Sequence, residues 1–289
     1  MKAAAFAPGH ISGFFEPVYH NDDINRTGSR GAGINVSIGA VSEVFVENSN
    51  KQDIEVYIND KKSSAHVTNL ALRYLLADNP LHVVVKTKLD LPMGQGFGMS
   101  AAGALSATLA LTKITNVSQS EAMKAAHFAE VKLKTGLGDV MACCFGGIEI
   151  RKNAGLPPWG IIEHIPGSFD LVLCVVGKKL DTKKILSDAS KANKIMDYGK
   201  YCTKKLLEKP SVENLFSLSQ VFTKKTGLAD KHVVEAINDA NRFGMASMCM
   251  LGNSVFAMGK TNELCKVLMN HGRVFVCNVD QAGTRVLEE

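Results

Sequence analysis

A glycine-rich segment, LPMGQGFGMSAA at residues 91–102, precedes a run of small and apolar residues that continues to Leu111. Its glycines at positions 94, 96 and 98 can adopt positive φ angles, so the backbone is expected to curl. Ser100 is predicted to cap a helix that runs to about Lys113. Such a loop directs several N–H groups and the positive end of the helix dipole at one point, which predicts a phosphate site.

Two familiar phosphate motifs can be compared with this loop. A nucleotide P-loop has the pattern GxxxxGK[ST], and no lysine follows these glycines. The dinucleotide fingerprint GxGxx[GA] is matched loosely by residues 96–101, but a second helix follows where that fingerprint needs a strand ending in an acid. A flexible turn that only begins a helix is the remaining alternative.

A second glycine-rich segment, residues 136–139, ends in Asp139. A carboxylate in such a turn could accept a hydroxyl proton or bind Mg²⁺. His127 and Glu130 are three residues apart on the predicted preceding helix and so project from one face, where Glu130 is a candidate Mg²⁺ ligand. The alternatives are a carboxylate that caps the turn and an ordinary helix histidine.

Two further places carry groups suited to a substrate carboxylate. The segment GSRGAG at residues 28–33 offers the Ser29 hydroxyl and the Arg30 guanidinium, and Arg151 offers a second guanidinium. Ordinary surface charge and a mobile loop are the alternative interpretation of these residues.

Composition and charge exclude several classes of protein. The chain has 289 residues, 46% hydrophobic and 21% charged, which is typical of a folded chain with two domains or one large one. The net charge of +5 suits an anionic ligand and does not require nucleic acid. No apolar run approaches the ~18–20 residues that cross a bilayer, so no membrane partner is expected. The seven cysteines form no CxxC pair, which favours a reducing cytoplasm.

The order of predicted elements indicates an α+β protein. Strands are expected at 34–47, 54–59 and 81–89, and helices at 69–77, 100–113 and 119–134, the last opened by the capping box at 118–121. The segment NAGLPPWG at 153–160 is the predicted boundary, which gives domains at 1–156 and 157–289. Beyond it, strands at 169–176, 254–258 and 274–279 alternate with helices at 187–209, 212–225, 231–242 and 262–270.

The chain resembles the GHMP kinase superfamily in four segments that follow the family's order. The glycine loop is similar to the superfamily's ATP loop, PxGxGLGSSAA, and residues 7–16 (APGHISGFFE) resemble its first motif. Gly138-Asp139 resembles the segment with the catalytic aspartate, and residues 244–257 occupy the place of the third motif. The variants resemble most closely the archaeal branch that phosphorylates pantoate.

This resemblance implies a fold and an activity. The N-terminal domain should resemble ribosomal protein S5 domain 2, and the C-terminal domain a ferredoxin-like sandwich. The implied reaction transfers phosphate from ATP to the primary hydroxyl of pantoate, giving 4-phosphopantoate on the route to coenzyme A. Other GHMP kinases of homoserine, shikimate or mevalonate derivatives are the alternative, as is a non-catalytic nucleotide- or RNA-binding module. Dimers are the commonest assembly of such proteins, which makes a homodimer one candidate.

The resemblance also implies roles for individual residues. Asp139 would orient and deprotonate the hydroxyl, while Ser100 and Glu130 would hold Mg²⁺. Pantoate would contact Ser29, Arg30, His127 and Arg151, with Arg151 as the carboxylate partner. ATP would contact Pro92, Gly94, Gln95, Gly96, Phe97, Gly98, Met99, Ser100 and Ala101.

Three positions depart from the family pattern. Position 10 is His where mevalonate-type members often have Lys, so the role of that Lys as a charge partner of the aspartate is not carried over. Met99 replaces the first serine of the usual pair. The usual second glycine loop is reduced to Gly252, which leaves its contribution to the site without a prediction.

Overall fold

The computed structural model describes residues 1–180 and 188–288. Within them, strands of two sheets alternate with helices. The strands are β1 (Lys2–Val18), β2 (Gly28–Asn48), β3 (Asp53–Ile58), β4 (Lys61–Ser63), β5 (Leu81–Leu89), β6 (Ile148–Asn153), β7 (Ile161–Ile165), β8 (Asp170–Val175), β9 (Gly244–Met248), β10 (Ser254–Gly259), β11 (Arg273–Asn278) and β12 (Arg285–Leu287). The helices are α1 (His66–Leu76), α2 (Met99–Thr112), α3 (Gln119–Leu133), α4 (Asp139–Phe145), α5 (Ala189–Glu208), α6 (Val212–Thr226), α7 (Lys231–Ala240) and α8 (Thr261–Leu268).

The first sheet is built on the long antiparallel pair of β1 and β2. Its main path runs β12-β1-β2-β5-β3-β4, and β6 pairs with both β2 and β7. The expected strand at 81–89 matches β5, in which the buried Val83, Val85, Thr87 and Leu89 alternate with less buried residues. Both β7 and β12 come from the chain after residue 157 and still join this sheet. The division into domains after residue 156 stays a prediction.

The second sheet has the strand order β11-β8-β10-β9, and each pair in it is antiparallel. In chain order this is 4-1-3-2, with α5 to α7 between its first two strands and α8 between its last two. This is the ferredoxin-like arrangement, and the α+β fold expected from the resemblance is confirmed. The predicted start of the first of these helices, Ser187, lies outside the described residues.

Helix α2 is the structural centre of the first half of the chain. It is buried on nearly every side from Met99 to Leu111, against β1, β2 and α3. Its alanine, serine and glycine side chains are small, so the neighbouring elements can approach it closely. The capping box predicted for α3 is present, because Ser118 and Glu121 exchange side-chain and backbone hydrogen bonds. No helix among the described residues is long and apolar enough to cross a membrane.

Candidate active site

The glycine loop before α2 curls as the sequence predicts. Gly94, Gly96 and Gly98 have φ angles of 73°, 77° and 64°, which lie in the left-handed region that favours glycine. The predicted cap was wrong by two residues: Gly98 is the N-cap of α2, and Ser100 lies inside the first turn. The left-handed backbone at position 98 turns the chain into the helix, and this frees the Ser100 hydroxyl for another contact.

The third motif, residues 244–257, packs directly against this loop. A Cβ atom on Gly252 would lie 2.1 Å from the Gln95 carbonyl carbon, and one on Gly96 would lie 2.8 Å from the Met250 carbonyl oxygen. The buried Gln95 amide also donates to the Gly177 carbonyl at 3.0 Å. The segment around Gly252 therefore fixes the shape of the glycine loop by close backbone packing.

Ser100 and Glu130 form the first polar pair of the site. The Ser100 hydroxyl donates to Glu130 Oε1 at 2.6 Å. Glu130 is 2% exposed, and burial raises the pKa of its carboxyl to about 7, with a smaller contribution from the charge of Asp139. No cationic side chain pairs with Glu130 among the described residues. A hydroxyl and a carboxyl without a cation are the hard oxygen donors that Mg²⁺ prefers, so these residues fit that ion.

Asp139 begins the short helix α4 and faces the first motif of the chain. The His10 Nδ1–H donates to Asp139 Oδ1 at 2.7 Å, and the backbone N–H of His10 donates to the Phe97 carbonyl at 3.0 Å. His10 thus connects the glycine loop to Asp139. Burial opposes ionisation of Asp139, but the hydrogen bond from His10 and the charges of His10 and Arg151 outweigh it and lower the Asp139 pKa.

Strand β6 supplies the other half of this charged cluster. Glu149 Oε1 accepts a hydrogen bond from His10 Nε2 at 2.8 Å and another from Arg151 Nη1. These side chains meet because β2 has glycine opposite each of them: Gly33 pairs with Glu149 and Gly31 with Arg151. A Cβ atom on Gly33 would lie 2.4 Å from His10 Nε2. The glycines in this part of β2 therefore make room for the buried charges.

Arg151 and Ser29 point to a common spot beside Gly138. A Cβ atom on Gly138 would lie 2.3 Å from Ser29 Oγ and 2.8 Å from Arg151 Nε. Arg151 is 1% exposed, and while its Nη2 donates to Ser12 Oγ at 3.2 Å, its Nε–H has no partner among the described residues. A buried guanidinium N–H without an acceptor beside a hydroxyl is suited to a carboxylate ligand.

Two other predicted substrate residues are held in different surroundings. The buried His127 ring bonds to the Ile24 carbonyl at 3.0 Å, and burial lowers its pKa. His127 still lines the same narrow crevice as Glu130 and residues 136–140. Arg30 follows Ser29 on β2, so the two side chains leave opposite faces of the strand. The Arg30 guanidinium donates to Glu16 at 3.0 Å and to the Lys152 carbonyl. It lines an open cavity of about 650 Å³, together with Arg26 and Trp159.

Sequence reasoning missed His10 as the partner of Asp139, and it missed Glu149 altogether. Asp139 and Glu149 lie 129 and 139 positions from His10 along the chain, so no local spacing indicates these contacts. The sequence signal that could have indicated the His10–Asp139 contact was the first motif, which has a histidine at position 10. A buried catalytic aspartate needs a cationic partner, and His10 occupies the position where the motif usually has lysine.

The fold and this cluster define a small-molecule kinase, and comparison with known proteins agrees. Residues 63–147 match the GHMP kinase N-terminal domain. A solved structure described as a phosphotransferase related to the coenzyme A biosynthesis pathway aligns with a TM-score of 0.90 and 31% identity, covering 99% of both chains.

Curated relatives extend the agreement to nearly the whole chain. The pantoate kinase of Thermococcus kodakarensis is 34% identical over 91% of this chain and 89% of its own length. The pantoate kinase of Methanocaldococcus jannaschii is 32% identical over 95% of this chain and 99% of its own length. The chain therefore belongs to the pantoate kinase family of the GHMP kinase superfamily.

Proposed function

We propose that this protein transfers the γ-phosphoryl group of ATP to the primary hydroxyl of pantoate, giving 4-phosphopantoate for coenzyme A biosynthesis. The observation that carries the proposal is the position of Asp139, which His10 connects directly to the glycine loop. Phosphoryl transfer to an alcohol needs a carboxylate that accepts the hydroxyl proton, placed beside the loop that binds the phosphates.

Each residue of the cluster has a task in this reaction. The loop amides before α2 bind the triphosphate, and Asp139 orients the attacking hydroxyl and accepts its proton as the new O–P bond forms. The bond from the γ-phosphorus to its bridging oxygen breaks, and ADP leaves. Arg151 and Ser29 bind the substrate carboxylate, and His127 lines the crevice that holds Glu130 and Asp139. Arg30 lines a different cavity, so its predicted contact with pantoate has no support from this geometry.

Mg²⁺ is part of the proposal, with Ser100 and Glu130 as its protein ligands. Bound there beside the phosphates, it would neutralise charge that develops during transfer. The buried carboxyl of Glu130, without a protein cation, supports this assignment.

The substrate is tested by measuring ADP release across a panel of alcohols. We expect pantoate to give the highest kcat/KM among pantoate, homoserine, shikimate and mevalonate. A preference for one of the other alcohols would move the protein to another branch of the superfamily. RNA binding without ADP release would contradict the kinase assignment.

Location and assembly complete the proposal. All seven cysteines are unpaired thiols, which supports a cytoplasmic protein. A homodimer is proposed as the assembly, and light scattering after size-exclusion chromatography measures it.

Glycine at position 96 is expected to be essential for nucleotide binding. Gly96→Ala should raise the KM for ATP at least about tenfold, because an alanine resists φ = 77° and its Cβ would lie 2.8 Å from the Met250 carbonyl. The matched control is Gly103→Ala within α2, where the nearest atom to the added Cβ is 3.9 Å away. That variant should leave the KM for ATP unchanged; equal effects of the two substitutions would contradict the prediction.

Removal of the Glu130 charge is expected to weaken the use of Mg²⁺. In Glu130→Gln the amide oxygen can still accept from Ser100, but the site loses its anionic ligand. We expect the Mg²⁺ concentration for half-maximal activity to rise at least about tenfold, measured by Mg²⁺ titration at saturating ATP. Glu121→Gln at the exposed start of the same helix is the control, and it should not change the titration. An unchanged midpoint of the Mg²⁺ titration in Glu130→Gln would show that Glu130 is not a Mg²⁺ ligand.

A further inference from the structure

Glu149 is the member of the charged cluster that the proposed reaction leaves without a task. Its side chain is fully buried, and its Oε1 accepts from both His10 and Arg151. Its Oε2 has no hydrogen-bond partner among the described residues. A buried carboxylate with an unpartnered oxygen is unfavourable for folding, and the neutral side chain of glutamine would fill the same space at lower desolvation cost. The Glu149 carboxylate balances the buried Arg151, and its second contact, to the His10 ring, points to a further role.

We propose that Glu149 is a positioning residue for phosphoryl transfer, which acts by keeping both ring nitrogens of His10 protonated so that His10 is a fixed cation against Asp139. The inference rests on the proposed function, because Asp139 must be the acid that receives the hydroxyl. It assigns a role to a residue that touches neither ATP nor pantoate in that scheme.

A carboxylate oxygen faces each nitrogen of the His10 ring. His10 Nδ1 lies 2.7 Å from Asp139 Oδ1, and Nε2 lies 2.8 Å from Glu149 Oε1. A neutral imidazole has one N–H and one lone pair, so it can satisfy only one of two carboxylates. The lone pair would then face the other carboxylate oxygen at hydrogen-bond distance. The doubly protonated ring satisfies both contacts at once.

The charges around His10 favour the same state. Asp139 on α4 and Glu149 on β6 face the ring directly, and Arg151 on β6 lies 3.3 Å from Nε2. Farther out, Glu130 on α3 lies near Asp139, with a carboxyl pKa of about 7. Burial lowers the His10 pKa, but the two carboxylates outweigh burial and raise it above its ordinary value. Because Arg151 compensates only one of the two facing acids, a positive ring completes the charge balance.

A fixed cation at His10 serves the reaction through Asp139. It occupies Asp139 Oδ1 and keeps the carboxylate ionised, which leaves Oδ2 free. Asp139 Oδ2 lies on the side of Gly136 and Glu130, where a Cβ atom on Gly136 would be 3.3 Å from Oδ2 and 2.1 Å from Glu130 Oε2. The free oxygen therefore faces the proposed metal ligands. If His10 were neutral, Asp139 would lose its charge partner in a largely buried site.

The pH dependence of kcat distinguishes this role from packing. In Glu149→Gln the His10 pKa should fall, because burial, which lowers it, is then opposed by Asp139 alone. We expect kcat to fall at least about tenfold at pH 8, with a new alkaline limb, while the KM for ATP changes less than about twofold. Glu163→Gln, which removes an exposed acid paired with Lys152, is the control and should keep the wild-type profile. A Glu149→Gln profile parallel to the wild type would overturn the proposal.

A rescue variant tests the same point from the other side. The ordinary lysine pKa of about 10.4 is far above this pH range, and Asp139 would stabilise the charge, so the double variant His10→Lys/Glu149→Gln should have no alkaline limb. If the limb persists in the double variant, it does not come from His10 and the proposal fails.

Nitrogen chemical shifts of the His10 ring provide a readout that needs neither turnover nor a stable variant. In the wild-type protein at pH 7.5 both ring nitrogens should report N–H groups, and a single protonated nitrogen would overturn the proposal. Failure of the proposed function is distinguishable, because it would appear as no pantoate-dependent ADP release with the His10 shifts still those of an imidazolium.

Discussion

Replacing Asp139 with asparagine should lower kcat by at least about 10²-fold and change the KM for ATP by less than about twofold. The magnitude is typical of removing a general base. Asparagine can accept the His10 hydrogen bond through its amide oxygen, so the side chain keeps its place, but it cannot take the hydroxyl proton. The loop proposed to bind ATP is built from other residues, around Gly96 and Gly252, and is not altered.

Steady-state kinetics at saturating pantoate measure this effect, and Asp139→Ala is expected to show a loss of the same order. Asp239→Asn is a matched control, because Asp239 also pairs with a histidine, His271, at 2.9 Å but lies on α7. It should retain turnover. If Asp139→Asn retains near-normal turnover, another group accepts the proton and the assignment of Asp139 is wrong.

Replacing Arg151 with methionine has two large effects that arise from one buried guanidinium. Without it Glu149 stays buried beside His10 and loses its other ion-pair partner, and breaking a buried pair in this way typically lowers the free energy of unfolding by about 3–5 kcal/mol. The same change removes the unpartnered Nε–H beside Ser29, so the KM for pantoate should rise at least about tenfold. The KM for ATP should stay nearly constant.

Chemical denaturation and steady-state kinetics on the same preparation separate these effects. Lys152→Met is the control, since Lys152 is the next residue on β6 and its ion pair with Glu163 is exposed. We expect that variant to stay within about 0.5 kcal/mol of the wild type. An equal rise in the KM for both substrates would argue against a carboxylate contact, and an unchanged unfolding free energy would contradict the buried pair.

Local chemistry explains which elements could be predicted from the sequence. The strand at 81–89 and the capped start of α3 follow from β-branched content and from one capping box, both of which act within a few residues. The cap of α2 was misplaced because serine is a residue type that is common at N-caps. The chain instead enters the helix through a left-handed backbone conformation, which glycine at position 98 adopts without strain. Ser100 instead bonds to Glu130, thirty residues away.

The sequence by itself determined the curled phosphate loop, the helix behind it and the acids that could serve a kinase, because glycine conformational freedom and side-chain chemistry are properties of the residues themselves. Only the tertiary structure decided which of these groups meet. His10 joins the loop to Asp139 and Glu149 because β1, α4 and β6 pack together, and the glycines of β2 leave the space. The charge state of each buried group then depends on its neighbours, since burial and ion pairing shift pKa values only after the chain has folded.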